Sequence, residues 1–399
     1  MTPVKESTAY QPPKTLWNAS YLLILAVSTL SSFSFYMTAT IMSKYLVSLG
    51  ATIAFAGVVM ENRPTTSLVC RPFCGLMADR LNNIWLLIVS NILMGIGMVG
   101  FALMRSMPLM IVFRIINAVG FAINGTVQMA AAVHFIPKDR TAEGIGYMGI
   151  SQLIGSACAP AVGLEIANAW GMPAAFLAAA GMTTLAAIML VFMLRMQLPT
   201  RNSERKGIVF SDIFDIKAVP FTLPYSTFSF TNGIINGYLL LYAEQFGIAK
   251  VSIYFTIYAV AVFLIRPISG KLMDRHGLRV TVFPGMICCA LSLIWLSYST
   301  TLPMIIATGI LRAIGQGAAQ PSLQAGCINR VGRDRSGVAT STYYLGGDVG
   351  QGIGPMIGGF ILAQVAGNAG YQLMFWFCAT IMVIAMAYFF FFLKKEKIK

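Results

Sequence analysis

Charge is what this sequence has least of. Only 11% of its 399 residues are Asp, Glu, Lys or Arg, and just 14 are acidic, where an ordinary soluble domain carries about 25% charged residues. A water-facing globular surface is therefore excluded. Histidine is almost missing: His134 and His276 are the two present, both at ends of apolar segments, and no nucleophile motif or phosphate loop accompanies them. An enzyme reading has no chemistry to stand on, and no nucleotide-binding domain appears that could drive pumping by ATP. The seven cysteines fall almost wholly in apolar segments without metal-ligand spacing. They read as small packing residues, and neither a metal nor a cofactor is expected. The opening stretch MTPVKESTAYQPPKTLWN is polar and carries prolines. It lacks a short apolar core ending in a small-residue cleavage site, so no signal peptide is read and the first apolar span is expected to stay in the protein.

What is present is length of apolar run. Hydrophobic residues make up 57% of the chain, and the mean hydropathy is +0.73. Runs of roughly 20 apolar residues, enough for a helix to cross about 30 Å of hydrocarbon, recur at 18–43, 51–74, 84–104, 109–133, 144–168, 173–194, 219–245, 252–271, 280–299, 303–328, 337–365 and 370–393. The expectation is an all-α membrane protein of twelve transmembrane helices. Lys138, Arg140, Arg201, Arg205, Lys206, Arg275, Arg279, Arg330, Arg333, Arg335 and the tail KKEKIK share one set of loops, against Lys44, Arg105 and Lys250 on the other. Because basic loops stay on the cytoplasmic side, both termini are expected there, in a multi-pass protein of a bacterial inner membrane. The net charge of +14 is this topological bias. Spread over short loops without a basic module, it gives no reason to expect a nucleic acid partner.

The chain repeats itself. RPFCGLMADR at 71–80 aligns with RPISGKLMDR at 266–275, an offset of 195 residues, and the same offset lays KDRT at 138–141 over RDRS at 333–336. Two parallel six-helix repeats follow, as in one large class of transporters. The expected organisation is a tail over 1–17, a six-helix bundle over 18–194, a charged linker over 195–218, a second bundle over 219–393 and a tail over 394–399.

Charged and polar residues inside the spans are few and patterned. Arg114, Asn117, Phe121, Asn124 and Gln128 alternate steps of three and four along span 4. Arg312, Gln316 and Gln320 step by four along span 10, and Tyr225, Ser229, Asn232 and Asn236 form a similar face on span 7. Polar stripes on lipid-length helices are expected to wall an aqueous cavity between the halves, with scattered interhelical hydrogen bonding as the alternative. Glu61 and Arg63 lie midway along span 2, and Glu165 near the outer end of span 5. Asp348 sits near mid-bilayer in span 11, where an ionised carboxylate costs at least about 2.5–3.5 kcal/mol unless paired or wetted. Its counterpart at the repeat offset is Leu153, so the repeat does not require it. Asp348 must face a cavity, find a partner or be protonated; with Glu61 it is a candidate for proton coupling. The substrate-binding candidates are Arg63, Arg114, Asn117, Asn124, Gln128, Asn232, Asn236, Arg312, Gln316 and Gln320.

In the repeated loop motif, Gly75 and Gly270 are expected to give tight reversals. Asp79 and Asp274 are expected to cap the helix that follows, and Arg80 and Arg275 to bridge to a neighbouring helix end. On this motif and the duplicated spans the chain resembles the major facilitator superfamily over nearly its whole length, and is most similar to its twelve-helix drug and proton antiporter branch. The second copy, with Gly277 and Arg279, is fuller than the first, where Asn82 replaces a glycine. The resemblance implies a cytoplasmic latch made and broken as the halves rock. That branch also carries a glycine-proline pattern in span 5, matched here by Gly146, Gly155, Pro160 and Gly163. Span 11 repeats it as Gly350, Gly354, Pro355, Gly358 and Gly359, with Ser341 at the first position. This accounts for GGDVGQGIGPMIGG at 346–359, where seven glycines, at roughly 1 kcal/mol each against alanine, and a proline at about 3 kcal/mol would be poor helix formers in water. Small residues let backbones approach closely; a close, sliding contact between the halves is expected, and the resemblance implies antiport.

The reading that collects these observations is a monomeric secondary transporter. It would work by alternating access, exporting small organic or amphiphilic molecules across a lipid bilayer in exchange for protons. Organic-anion uptake or exchange on Arg63, Arg114 and Arg312 is the alternative, and a non-transporting membrane receptor or sensor on the same fold is the alternative of another class.

Overall fold

The structure, a computed structural model, describes residues 13–50, 53–194, 210–365 and 367–396, the side chains at 40, 43, 44 and 53–65 excepted. The expected tail and linker segments 1–12, 195–209 and 397–399 lie outside the described residues. Twelve long helices carry the described chain: α1 Ala19–Ser48, α2 Ile53–Arg80, α3 Asn83–Leu103, α4 Met107–Phe135, α5 Thr141–Trp170, α6 Met172–Val191, α7 Val219–Gln245, α8 Ile253–His276, α9 Leu278–Leu296, α10 Leu302–Val331, α11 Ser336–Gln364 and α12 Asn368–Lys395. The remainder of the linker forms a single turn, Phe210–Ile213, and a 3₁₀ turn, Ile216–Ala218.

Local chemistry sets the helix ends. Asn18 Oδ1 accepts the Tyr21 N–H at 2.9 Å to cap α1, and Asn82 Oδ1 accepts from Ile84 and Trp85 at 2.9 and 3.2 Å to cap α3. Proline stands in the first turn of α4, α6, α7 and α10, where a missing N–H breaks no helical bond. Gly277, at φ +88°, turns α8 into α9 through a single residue, a backbone state that a side chain disfavours. Two expectations need correction. α2 runs past residue 74 to Arg80, and α8 to His276, so Gly75, Asp79, Gly270 and Asp274 are helical. Asn82 caps α3, and α9 starts after Gly277 without a side-chain cap, so neither aspartate caps the helix that follows it.

By length and composition alone, nine of the described helices can cross a bilayer, all except α2, α7 and α11. Those three hold Arg71, the Tyr225–Asn236 stripe and Asp348. Each of them puts these polar residues on the wall of the space between the halves.

Packing follows the repeat. In the first half α1 packs on α5 and α6, α3 on α4 and α6, and α2 on α4; in the second, α7 packs on α11 and α12, α9 on α10 and α12, and α8 on α10. Between the halves α2 meets α11, α5 meets α8, and α4 and α10 reach α11 and α5. Exchanging the halves maps this set of contacts onto itself. The largest apolar cluster, with Leu87, Met129, Met286, Leu323 and Phe389, draws on both halves. It lies toward the end that bears the loops of Lys138 and Arg140, Arg275 and Arg279, and Arg333 and Arg335, hereafter the basic end.

Apart from their first positions, Gly146 against Arg266 and Ser341 against Gly75, the glycine-proline segments do not lie between the halves as expected. A Cβ on Gly155 would stand 2.8 Å from the Ser32 carbonyl carbon, and one on Gly163 2.8 Å from Met37 O, both on α1. The corresponding contacts are Phe230 N at 3.1 Å for Gly350 and Phe230 O at 2.5 Å for Gly354, both on α7, while Gly358 meets Tyr238 and Met374. Pro355 closes the α7 contact, its carbonyl accepting from Tyr238 OH at 2.8 Å, and Pro160 lies inside α5 on the same pattern. These residues press α5 onto α1 and α11 onto α7, inside each half. Between the halves the close approaches are at Gly75, Gly146 and Gly270. A Cβ on Gly146 would be 3.2 Å from Arg266 O, and one on Gly270 2.6 Å from Glu143 Cα. Hydropathy marks which helices are small-faced; it is blind to which neighbour each face meets.

Gly350→Leu is expected to lower the thermal unfolding midpoint of the purified protein clearly, because overpacking of this kind costs about 1–3 kcal/mol. Gly352→Leu, at a site with nothing within 4 Å of an added Cβ, should leave it near the wild-type value. Equal midpoints for the two variants would contradict the α7–α11 packing described.

Candidate functional site

Between the halves lies a cavity of about 610 Å³ with walls from α1, α2, α4, α5, α7, α8, α10 and α11. A second space of about 710 Å³ shares Arg71, Phe121, Asn236, Asp348 and Gln351 with it and continues past Ser67 to Arg114, away from the basic end. The polar stripes of α7 and α10 arrive complete: Tyr225, Ser229, Asn232 and Asn236 from one, Arg312, Gln316 and Gln320 from the other. The α4 stripe splits. Arg114 and Phe121 reach the cavities, whereas Asn117 Nδ2 donates to Met94 O and Asn124 Nδ2 to Ser90 Oγ, each at 3.1 Å, on α3. Gln128 is buried outside both spaces. A stripe at alternating three and four covers an arc of the helix, and α3 takes one edge of that arc.

Three arginines and one carboxylate meet in the first cavity. Arg71 of α2 grips Asp348 of α11 with both ends of its fork, Nε on Oδ2 and Nη2 on Oδ1 at 3.2 Å, and its Cζ lies 5.0 Å from the Tyr344 ring centre. The pair joins the two halves, and bidentate geometry of this kind is strong and directional. Arg312 stays within the second half: it donates to Tyr254 OH at 3.3 Å and to Asn232 Oδ1, with Cζ 5.0 Å from the Tyr258 ring centre. Arg266 of α8 lies along α5 where Gly149 leaves room; a Cβ there would come 2.6 Å from its Cζ. Among the described residues no carboxylate pairs with Arg266, and its buried Nε has no hydrogen-bond partner. Glu61 and Arg63 fall outside the described side chains, and Glu165 is exposed on α5.

Reading the spans for isolated charges passed over Arg71 and Arg266. Their signal was in the sequence all the same: each opens one copy of the RP motif, 195 residues apart, one helix turn or more inside the loop to which the motif was attributed.

At the basic end the motif aspartates cap helices of the opposite half. The Asp79 carboxylate accepts the N–H groups of Gly337 and Val338 at 2.7 and 3.1 Å, at the start of α11. Asp274 accepts those of Ala142 and Glu143, both at 2.9 Å, at the start of α5. Every partner obeys the 195-residue offset. A carboxylate on a helix N-terminus contributes about 0.5–2 kcal/mol through hydrogen bonds and the helix dipole, and Gly75 and Gly270 are the small residues that let these helices approach. The arginines do not match: Arg80 bonds Asp212 of the linker turn at 2.6 Å, while Arg275 is exposed. Further contacts gather at the same end. Arg335 pairs with Asp215 at 2.5 Å, and Arg333 crosses to the first half, donating to Ile136 O at 2.7 Å and Thr141 Oγ1 at 2.5 Å.

This arrangement of twelve helices in two alike halves around a polar cavity is that of a membrane transport protein. The chain belongs to the Major Facilitator Superfamily, which it matches over residues 24–255 and again over 221–399. It is 23% identical over 398 residues to the Escherichia coli multidrug resistance protein MdtG, covering 94% of this chain and 95% of that protein. It is 22% identical over 363 residues to an uncharacterized MFS-type transporter, MJ1560, of Methanocaldococcus jannaschii, covering 89% and 92%. Among solved structures it superposes on the human organic anion transporter MFSD10 (TETRAN) with a TM-score of 0.79 at 13% identity over 95% of this chain and all of that one. FucP in its outward conformation follows with a TM-score of 0.77 at 14% identity, over 94% and 99%. The protein is thus a multi-pass membrane transporter of small molecules.

Asp79→Asn and Asp274→Asn are each expected to raise, by threefold or more, the labelling of a cysteine placed at Gln324 by a membrane-impermeant maleimide added from the basic end. The double variant should exceed either. Unchanged labelling in all three would mean that the two caps do not hold this end closed.

Proposed function

We propose that this protein is a proton-coupled exporter of small organic, amphiphilic molecules, of the drug and proton antiporter type, working by alternating access as a monomer in a bacterial inner membrane with both termini cytoplasmic. On this reading the basic end faces the cytoplasm, in keeping with the distribution of lysine and arginine among the loops, and the described state is closed on that side by the Asp79 and Asp274 caps. The name of the relative MdtG, a multidrug resistance protein, supports export.

The observation that carries the reading is the Arg71–Asp348 pair. It lies in the cavity wall, where proton and substrate can both reach it, and it ties α2 to α11, the same two helices that the Asp79 cap joins. An ionised pair in a low-dielectric site is strongly destabilised when one partner is lost, by about 3–5 kcal/mol. Protonating Asp348 removes its charge, frees Arg71 and weakens the seam between the halves. A proton entering the cavity thereby changes the balance between closed and open states, which is the requirement for coupling: the ligand must have a different affinity for the two states. Tyr344, stacked beside the arginine, holds the guanidinium in place while its carboxylate is released.

Asp348→Asn is expected to cut transport driven by an imposed pH gradient in proteoliposomes at least tenfold, while exchange of labelled for unlabelled substrate without a gradient continues. Gradient-driven transport at the wild-type rate would remove Asp348 from the coupling step.

A further inference from the structure

We infer that Arg266 is a binding residue for a carboxylate of the transported molecule, so that the cavity selects organic anions with an aromatic body. The inference rests on the cavity being the transport site, and it goes beyond that reading by assigning substrate charge and the residue that recognises it.

The argument starts from the symmetry of the molecule. The offset of 195 residues carries Asp79 and its partners Gly337 and Val338 onto Asp274, Ala142 and Glu143, so it is a rule of three-dimensional contact as well as of sequence. Applied to the pair of Arg71 and Asp348, the same offset gives Arg266 and residue 153. That residue is Leu153, and both Arg266 and Leu153 line the cavity. The first-half arginine therefore has a carboxylate to meet on the second half, whereas the second-half arginine has, at the equivalent place on the first half, a leucine. The missing partner is not made up elsewhere among the described residues, since the Arg266 Nε is buried without a bond.

A guanidinium in such a setting retains its charge and needs an anion. Arg312 in the same cavity adds a second positive charge, one that donates to the neutral Asn232 and Tyr254. Against these stands Asp348, already held by Arg71. The excess is positive, and the planar fork of arginine matches a carboxylate through two parallel hydrogen bonds. Beside the amides and hydroxyls of the wall, Tyr36, Phe121, Tyr225, Phe255, Tyr258 and Tyr344 offer faces to a ring, and some 610 Å³ accommodates one or two. An aromatic monocarboxylate satisfies both features, with its acid group on Arg266 and its ring among the tyrosines.

The test is binding to the full-length protein in nanodiscs, with no gradient, using benzoate, 2-naphthoate and indole-3-acetate beside their primary amides. At least one acid is expected to bind tenfold or more tightly than its amide. Arg266→Gln should bring that acid down to the affinity of the amide, Arg266→Lys should fall between, and the amide itself should be little changed. Two further variants leave the arginine in place. Leu153→Asp supplies the missing carboxylate and should abolish the preference for acid by occupying Arg266 from within. Gly149→Ala places a methyl group against the flexible end of Arg266, moves the guanidinium and should weaken acid binding without loss of folded protein. Equal affinity for every acid and its amide, an acid preference that survives in folded Arg266→Gln and Leu153→Asp, or binding of chloride alone would each overturn the inference. Because no proton gradient is used, an intact acid preference beside failed gradient-driven transport would keep this site and discard the proton-coupled reading; the converse result would do the reverse.

Discussion

A peptide group or a charge inside hydrocarbon has no water to bond, and each one left unmatched costs several kcal/mol. The rest of this molecule is arranged around that constraint. Backbone groups are met within helices, which is why the described chain is helical almost throughout. Side-chain polarity is drawn to the surfaces where helices face each other, and α2, α7 and α11 all put charged or polar side chains on the central cavity. The cavity is therefore a consequence of concentrating the polar residues that a transporter cannot do without on inward faces. Small residues at Gly155, Gly163, Gly350 and Gly354 bring α5 and α11 close against α1 and α7, so each half can behave as a stiff unit while the polar surface lies between the units.

Two of the polar contacts that hold the halves together differ in how they can be undone. The Asp79 and Asp274 caps are carboxylates on helix N-termini. They are duplicated, lie at the basic end and depend on backbone geometry, so a relative movement of the halves breaks both by distance alone. The Arg71–Asp348 pair is single and lies inside the cavity, where a proton or an anion can compete for one member without any movement having begun. Chemistry in the cavity and closure at the basic end meet on the same helices, α2 and α11. That shared seam is the physical route by which an event at the centre can be felt at the end of the molecule.

Much of this could be read from the residues, and the parts that could not share a cause. The spans were visible in hydropathy because burial in lipid is a property of each segment by itself. The repeat was visible because Arg, Pro, Gly, Asp and Arg recur at one spacing, and the stripes of α7 and α10 were visible because helical periodicity needs no knowledge of neighbours. The α4 stripe misled: Asn117 and Asn124 share the periodicity of Arg114, but α3 packs on their edge of the helix and takes their hydrogen bonds. Beyond Gly146 and Ser341, the glycine-proline segments were identified as contact surfaces and assigned to the wrong partner, since nothing in a sequence says which face of α5 meets α1 and which meets α8.

The sequence by itself determined the number and polarity of the helices, the duplication, and which side of the bundle carries positive charge, all of which follow from local composition and spacing. Only the tertiary structure decided that Arg71 meets Asp348 across 277 residues, that each motif aspartate caps a helix of the opposite half, and that Arg266 lies against Gly149 with its buried Nε unbonded. These are contacts between halves, and their energy depends on distances that exist only where the two bundles pack together. An isolated stretch of chain carries the groups, but that packing sets which of them become partners and which are left with a charge to be met from outside.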